Sequence, residues 1–565
     1  MDIEAVRRWI AEDPDPRTAD ELATLLARAE QGGEGAEEAR AELADRFSGP
    51  LVFGTAGLRG ALGGGPNRMN RAVVIRTTAG LMSWLLEQLD GAVPRVVIGF
   101  DARYGSDQFA RDVASVVTGA GGTALLLPEP GPTPVLAYAV RHHDADAGVM
   151  VTASHNPKED NGYKVYLGGR VVTDAGQGAQ LVTPADEQIA AAIDAVGPLS
   201  DVPRPEDGWQ VLDESITESY LARVASQVPH GYARSLRIVY TPLHGVGTAA
   251  AREALRLAGF TDVIVVPEQG EPDPDFPTVT FPNPEEPGAL DLAIRLARRE
   301  DADLIIANDP DADRCSVAVP DPAAPGGWRQ LTGDEVGALL GKQAAISAAV
   351  AGRGVLASSV VSSRLLGDIA RSHGLEHRTT LTGFKWISRV PGLVFGYEEA
   401  LGYCVDPEAV RDKDGISAAV RVALLASQLQ DRGRTLLHAL DEIALQYGLH
   451  ATEPLTVRVE DASVIPAAMA RLREAGPSHL AGSPVVRTID LAEGSADLPP
   501  TDGLVYHTAA RDRVIVRPSG TEPKLKCYLE VVEEVAEADR LSDARRAAAD
   551  RLARIRSELA TAIGL

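Results

Sequence analysis

The chain has 565 residues, 45% hydrophobic and 24% charged, which suits about three to five folded domains and argues against disordered, collagen-like and coiled-coil chains. Its 55 Lys and Arg against 80 Asp and Glu give a net charge of −25, and no basic run interrupts it, so neither nucleic acid nor an anionic membrane is expected as a partner. Cys315, Cys404 and Cys527 are too few and too scattered for a disulfide framework or a paired-cysteine zinc site; with an acidic N-terminus and no apolar run of about 18 residues, the expected location is the cytoplasm.

Residues 1–50 read as a helical extension of two short helices. Thr18 and Glu21 have capping-box spacing, Gly32 and Gly33 stop the first helix, and AEEARAELADRF forms the second. From Arg95, RVVIGF and TALLL read as buried strands around a helix over 107–119, and AGVMVTA as a third strand. A second series runs through LRIVYT, a helix ending near Gly259, DVIVV and ADLIIAND; a third through GVLASSVV, a helix from Ser363, EHRTTLT and LVFGYEEA. Three similar α/β domains follow, over 51–235, 236–345 and 346–455. PEQGEPDPDFPTVTFPNPEEP, over 267–287, is too rich in proline for a helix or central strand and reads as a surface loop. After about Leu455, short strands such as TVRVE and VIVRPSG precede a terminal helix with Leu541, Ala548, Leu552, Ile555 and Leu559 on one face, a smaller α+β domain over 456–565.

Ligands on open parallel sheets bind beyond the carboxyl ends of strands, which directs attention to TASHNP, NDPDADR and GYEEALGY. In NDPDADRC, an extended backbone would point Asp309, Asp311 and Asp313 to one side, where three carboxylates call for a cation; a solvated acidic turn is the other reading. A dedicated calcium loop is rejected, since Arg314 and Pro320 stand where glycine and glutamate belong. Ser154 and His155 follow a buried strand, and Asn156–Pro157 forces a turn that displays the serine as a nucleophile or merely satisfies a backbone group. No G-x-S-x-G surrounds it. In VRPSGTEPKLKCY, Arg517, Ser519, Gly520 and Thr521 with Lys524 and Lys526 form an anion nest suited to a phosphate dianion. Glu398 and Glu399, Arg59, Lys385 and Lys413 sit in further polar loops, and Walker A and HExxH motifs are absent.

FGTAGLRG, TASHNPKEDNGYKVY, NDPDADR, GYEEALGY and RPSGTEPKLK together resemble the α-D-phosphohexomutase superfamily, in the branch of bacterial phosphoglucomutases and phosphomannomutases and phosphoglucomutase-2/phosphopentomutase-like proteins; they span Phe53 to about Lys526. The resemblance implies an α/β fold of four domains around a central cleft, three similar and the last a smaller phosphate-binding one. It implies a phosphosugar mutase interconverting hexose 1-phosphate and hexose 6-phosphate, glucose favoured, through a phosphoserine and a sugar 1,6-bisphosphate. By the same resemblance Ser154 carries the phosphoryl group and, with Asp309, Asp311 and Asp313, holds Mg²⁺; Arg59, His155, Lys164 and Lys413 line the reacting centre; Arg314, Gly383, Lys385, Glu398, Arg517, Ser519, Gly520, Thr521 and Lys526 bind substrate. Lys164 or Lys413 could remove and return the proton provided that burial and nearby cations depress the lysine pKa. Ala400 departs from relatives with serine there, which leaves mannose or pentose phosphates as alternative substrates, and bisphosphate synthase or phosphatase chemistry as a second class. The expected partners are small-molecule sugar phosphates.

Overall fold

The computed structural model describes residues 2–564 apart from 34, 55–56, 230, 232–233, 460–462, 496–497 and 520–523. The chain divides into one unit of residues 1–330 with 402–424 and another of 331–401 with 425–565. Among the described residues the strands fall into four sheets. No described helix is long and apolar enough to cross a membrane.

The described residues of the N-terminal extension hold three helices rather than the expected two: Ile3–Glu12, Pro16–Gln31 and Ala36–Arg46. Asp2 caps the first, and Asp15 with Pro16 starts the second. The Thr18–Glu21 capping box does not form, because Pro16 sets the helix start before Thr18, whose hydroxyl donates instead to Asp13 (2.8 Å). Val6, Leu22, Leu26, Ala39 and Leu43 are buried together, with Trp9 edge-on to Phe47.

The first sheet runs in the order Leu58–Ala61, Asp160–Leu167, Ala147–Val151, Arg95–Phe100, Thr123–Leu126 and Gln210–Val211, with Ala179–Gln180 beside the second strand. Its centre is parallel, and helices Arg71–Gln88, Ser106–Gly119 and Thr133–His142 cover it; burial on both faces is why RVVIGF and AGVMV are continuous apolar runs. Leu58–Ala61 and Asp160–Leu167 run antiparallel to their neighbours. The second sheet has Leu304–Ala307, Ile238–Thr241 and Val263–Val265 in parallel, extended antiparallel by Ser316–Pro320 and Trp328–Gln330.

In the second unit, Val355–Ser359 lies parallel between Glu376–Thr380 and Leu393–Glu398. An antiparallel sheet is built from Leu449–Arg458, Lys524–Glu533, Arg513–Pro518, Leu504–Thr508, Ser483–Asp490 and His479–Leu480. The helix Leu541–Ile563 packs on it through Ala548, Leu552, Ile555 and Leu559, while Leu541 is buried with Ala444 and Val535. The expected α/β and α+β styles are both present.

Candidate active site

In the first unit, three loops and two strands converge. Ser154 follows Ala147–Val151 with φ +53, a left-handed backbone that L-residues with side chains adopt at a cost. Its N–H donates to Thr152 Oγ1 (2.9 Å), and its hydroxyl donates to Asp309 Oδ2 (2.7 Å), with His155 Nδ1 at 3.2 Å. The serine is 1% exposed, so the Asn156–Pro157 turn presents it to Asp309 rather than to solvent.

The aspartates meet, although not by the expected extended backbone. The chain turns at Asp309–Ala312, where the Ala312 N–H donates to Asp309 O (2.8 Å) and Ala312 has φ +54, and this turn gathers the three side chains. Carboxylate oxygens of Asp309, Asp311 and Asp313 lie within 4.8 Å of one another, all buried. Asp311 Oδ2 accepts from Thr133 Oγ1 (2.6 Å) and Lys164 Nζ (2.6 Å); Asp313 Oδ2 accepts from Lys164 Nζ (2.9 Å) and pairs with Lys413 Nζ (3.2 Å). Among the described residues, Asp311 Oδ1 and Asp313 Oδ1 are buried without hydrogen-bond partners, Asp313 Oδ1 having Arg314 Nε at 3.9 Å. Such orphaned oxygens are costly unless they meet a cation, so the cluster fits a hard divalent ion with spare coordination positions.

Burial, then the charges of Asp311 and Asp313, push the Asp309 carboxyl up to about 8. Burial also acts on Asp311 and Asp313, but the nearby lysines hold both below the usual carboxylate range. The condition for proton transfer, a depressed lysine, is not met at Lys164: burial alone would lower it, yet two carboxylates in contact raise it above the ordinary value, and it stands as a cation.

The local sequence explains the placement. In DNGYKVYL the period of two sends Tyr163, Val165 and Leu167 into the apolar core and Lys164 and Tyr166 to the other face. Tyr166 OH donates to Asp412 (2.6 Å), whose Oδ1 accepts the N–H of Lys413 (2.7 Å), so this pair sets the RDKDG loop. Gly415 lets that loop close on the aspartate turn, since a side chain there would overlap the carbonyl of Arg314. Arg59, on the strand paired with Asp160–Tyr163, donates from Nη1 to Asn156 Oδ1 (3.0 Å). Arg314 donates its N–H to Asp309 Oδ1 (3.0 Å) and holds its guanidinium 3.9 Å from Asp309 and Asp313. Ser154, His155, Arg59, Lys164, Asp309, Asp311, Asp313, Arg314 and Lys413 therefore form one cluster. Thr133, Tyr166 and Asp412 belong to it too; sequence reasoning missed them because no motif contains Thr133 or Tyr166 as a reactive type, although Asp412 stands in RDKDG.

The second unit holds the remaining residues. Glu398 ends a parallel strand and is half-buried, whereas Glu399 turns inward to accept from Ser359 (3.1 Å) and Ser362 (3.0 Å). Burial and the adjacent Glu398 push Glu399 up to about 7. Gly383, with φ +108, opens the short helix Phe384–Ile387 that carries Lys385. Arg517 hydrogen-bonds the Tyr528 hydroxyl, whose pKa is raised by burial and by the charges of Glu399 and Glu398, and lies opposite Lys526 in the ladder. The Ser519 N–H donates to Lys524 O (2.8 Å). Gly520 and Thr521 lie outside the described residues.

Residues 50–197, 218–325, 332–447 and 455–548 match, in turn, phosphoglucomutase/phosphomannomutase alpha/beta/alpha domains I, II and III and the C-terminal domain of that family. A probable phosphomannomutase of Haemophilus influenzae is 47% identical over 84% of this chain and 95% of its own. The phosphopentomutase of Homo sapiens is 34% identical over 94% of this chain and 92% of its own. The crystal structure of a putative phosphomannomutase from Thermus thermophilus superposes with a TM-score of 0.66 at 25% identity, covering 89% of this chain and 99% of that one. Four successive domain matches and a relative so similar over nearly its whole length leave one assignment: the chain belongs to the phosphoglucomutase/phosphomannomutase family of phosphosugar mutases.

Proposed function

We propose that the protein interconverts hexose 1-phosphate and hexose 6-phosphate, with glucose the favoured sugar, by carrying a phosphoryl group on Ser154. The observation that carries this reading is a serine hydroxyl 2.7 Å from one of three buried carboxylates, amid His155, Arg59, Lys164, Arg314 and Lys413. Phosphoryl transfer needs alignment and charge neutralisation more than covalent assistance, and these are what such a cluster offers. Phosphorylated Ser154 gives its phosphoryl group to the free sugar hydroxyl: the Ser154 Oγ–P bond breaks as the sugar O–P bond forms, and the hydroxyl's proton ends on Ser154 Oγ; the bisphosphate turns over and returns its other phosphoryl group to Ser154, which gives its proton back to the sugar oxygen. Lys164, Arg59, His155 and Lys413 orient the transferring group and offset its charge. Asp309, Asp311 and Asp313, with a Ser154 phosphate oxygen, would hold Mg²⁺, which supplies charge neutralisation at the phosphoryl oxygens. Glu398 and Lys385, with Gly383 giving close approach, would contact the sugar; Arg517, Ser519, Gly520, Thr521 and Lys526 would hold the non-reacting phosphate.

The similarity to a phosphomannomutase and a phosphopentomutase keeps mannose and pentose phosphates as alternatives by the same mechanism. Turnover of glucose, mannose and ribose 1-phosphates, measured side by side with glucose 1,6-bisphosphate as activator, decides among them. Intact mass and peptide mapping should place one phosphate on Ser154. Turnover with Ser154 permanently bare overturns the mutase reading, and a net yield of bisphosphate or free phosphate indicates the synthase or phosphatase class instead.

A further inference from the structure

The proline-rich segment 267–287 has seven prolines and no helix or strand, yet it is not a passive surface loop. Phe276 within it is 3% exposed with φ +46. Its ring lies under Arg103, whose guanidinium carbon is 5.0 Å from the ring centroid. Arg103 is itself buried and donates to four carbonyls of the serine turn: Ser154 O (2.6 Å), Asn156 O (2.6 Å), Pro157 O (2.6 Å) and Asp160 O (3.1 Å). Asp101 accepts the N–H of Arg103 and sits 3.4 Å from its Nε. Beside Phe276, Asp275 accepts from Tyr104 OH (3.0 Å) and from Lys158 Nζ (3.4 Å), and Lys158 belongs to the serine turn.

The same segment grips the aspartate turn. Asp273 donates its N–H to His244 O (3.0 Å), and Thr278 Oγ1 is 2.8 Å from His244 Nε2. His244 and Leu243 are both left-handed, and Gly245 packs so closely on Pro310, between Asp309 and Asp311, that a side chain there would overlap it. The Val246 N–H donates to Pro310 O (2.8 Å). One stiff segment thus touches, through Arg103 and through His244, the two turns that must meet for Ser154 to face Asp309. Prolines lower the entropy lost in ordering such a loop.

We propose that segment 267–287 is a brace that sets the Ser154 turn against the Asp309–Asp313 turn, with Phe276 a positioning residue acting through Arg103. The assignment rests on the reading of Ser154 as phosphoryl carrier. The full-length protein is compared as wild type, F276L, which keeps apolar volume without a π face, and F276Y, which keeps the ring. The readouts are the rate of Ser154 phosphorylation by glucose 1,6-bisphosphate, kcat and KM for glucose 1-phosphate, and Tm. F276L is expected to lower kcat and the phosphorylation rate about tenfold with KM within about twofold, and F276Y to restore both rates to within about twofold. Wild-type rates in F276L, or an equal loss in F276L and F276Y, overturn the brace. Should F276L fail to fold, D275N, on an exposed side chain, is expected to slow phosphorylation about two- to fivefold at unchanged KM, and no slowing overturns the proposal. A wild type that takes no phosphate on Ser154 overturns the carrier reading instead, and that arm is read before any variant.

Discussion

At the level of single residues, the cluster in the first unit separates chemistry from packing. The Ser154 hydroxyl touches Asp309 and His155 and contributes little apolar burial, so Ser154→Ala, which removes one donor from Asp309, should still fold, with a loss of about 1–3 kcal/mol, and lose at least about a thousandfold in turnover. Conversion of glucose 1-phosphate to glucose 6-phosphate by the purified variant measures this, and substantial remaining activity would sink the carrier role. Asp311 presents one oxygen to Thr133 and Lys164 and leaves the other orphaned; Asp311→Asn should therefore raise the Mg²⁺ concentration needed for half-maximal activity and lower turnover together. Full activity in EDTA would show that the three aspartates need no metal. In the second unit, Arg517→Ala removes a guanidinium fork suited to a phosphate, a charge-assisted contact of about 1.5–3 kcal/mol, so KM should rise about ten- to hundredfold for 1-phosphates and 6-phosphates alike. Ser154, Asp309, Asp311 and Asp313 were legible in the sequence because reactive types stood in short motifs after apolar strands. Arg103 and Thr133 were not, because their roles exist only where distant loops meet.

Among the elements, the N-terminal helices show how a segment with its own small core is tied to a site-bearing strand. Arg46, 8% exposed, donates to Glu21 (2.7 Å), Glu42 (2.7 Å) and the carbonyl of Gly64 (3.3 Å), while Glu21 accepts the Gly64 N–H (3.0 Å). The loop so held follows the Leu58–Ala61 strand that carries Arg59. Arg46→Met keeps the stem but removes the guanidinium from two part-exposed carboxylates, Glu21 keeping the Gly64 N–H and Glu42 keeping Arg68 (3.3 Å), and a loss of about 1 kcal/mol is expected, appearing first as faster hydrogen exchange in residues 2–47. Exchange as slow as in wild type would show that the apolar contacts of Leu22 and Leu43 suffice. The capping-box reading of Thr18–Glu21 failed here for a related reason: Pro16 fixed the helix start, and Glu21 was drawn to a partner 25 residues away that no local pattern announces.

For the molecule as a whole, the clearest pH signature lies in the second unit. Burial, aided by the Arg371 charge, pushes His377 down to about 4, with its Nε2 3.1 Å from Ser358 Oγ; burial and then Arg364 push His507 down to about 4. Each is neutral when folded and takes a proton near pH 6.5 when unfolded, so the unfolded chain binds more protons between those values. Stability is then fully present above about pH 6.5 and falls as pH drops toward 4, by at most about 3 kcal/mol per histidine. The unfolding midpoint followed from pH 7 to pH 4 should fall less steeply in His377→Gln than in wild type; parallel curves would exclude this histidine. What the sequence determined by itself was periodic or local: the strand and helix series, the α/β and α+β styles, the apolar face of the terminal helix, and motifs whose residue types imply phosphate and cation chemistry. Tertiary structure decided whatever depended on long-range approach. It gathered the aspartates by a left-handed turn at Ala312 instead of an extended run, raised Lys164 through two carboxylates about 150 residues distant, and buried Phe276 of a proline-rich loop beneath Arg103. Short-range sterics and hydrophobic periodicity are written in neighbouring residues, whereas electrostatic and packing terms belong to whichever groups the fold makes neighbours.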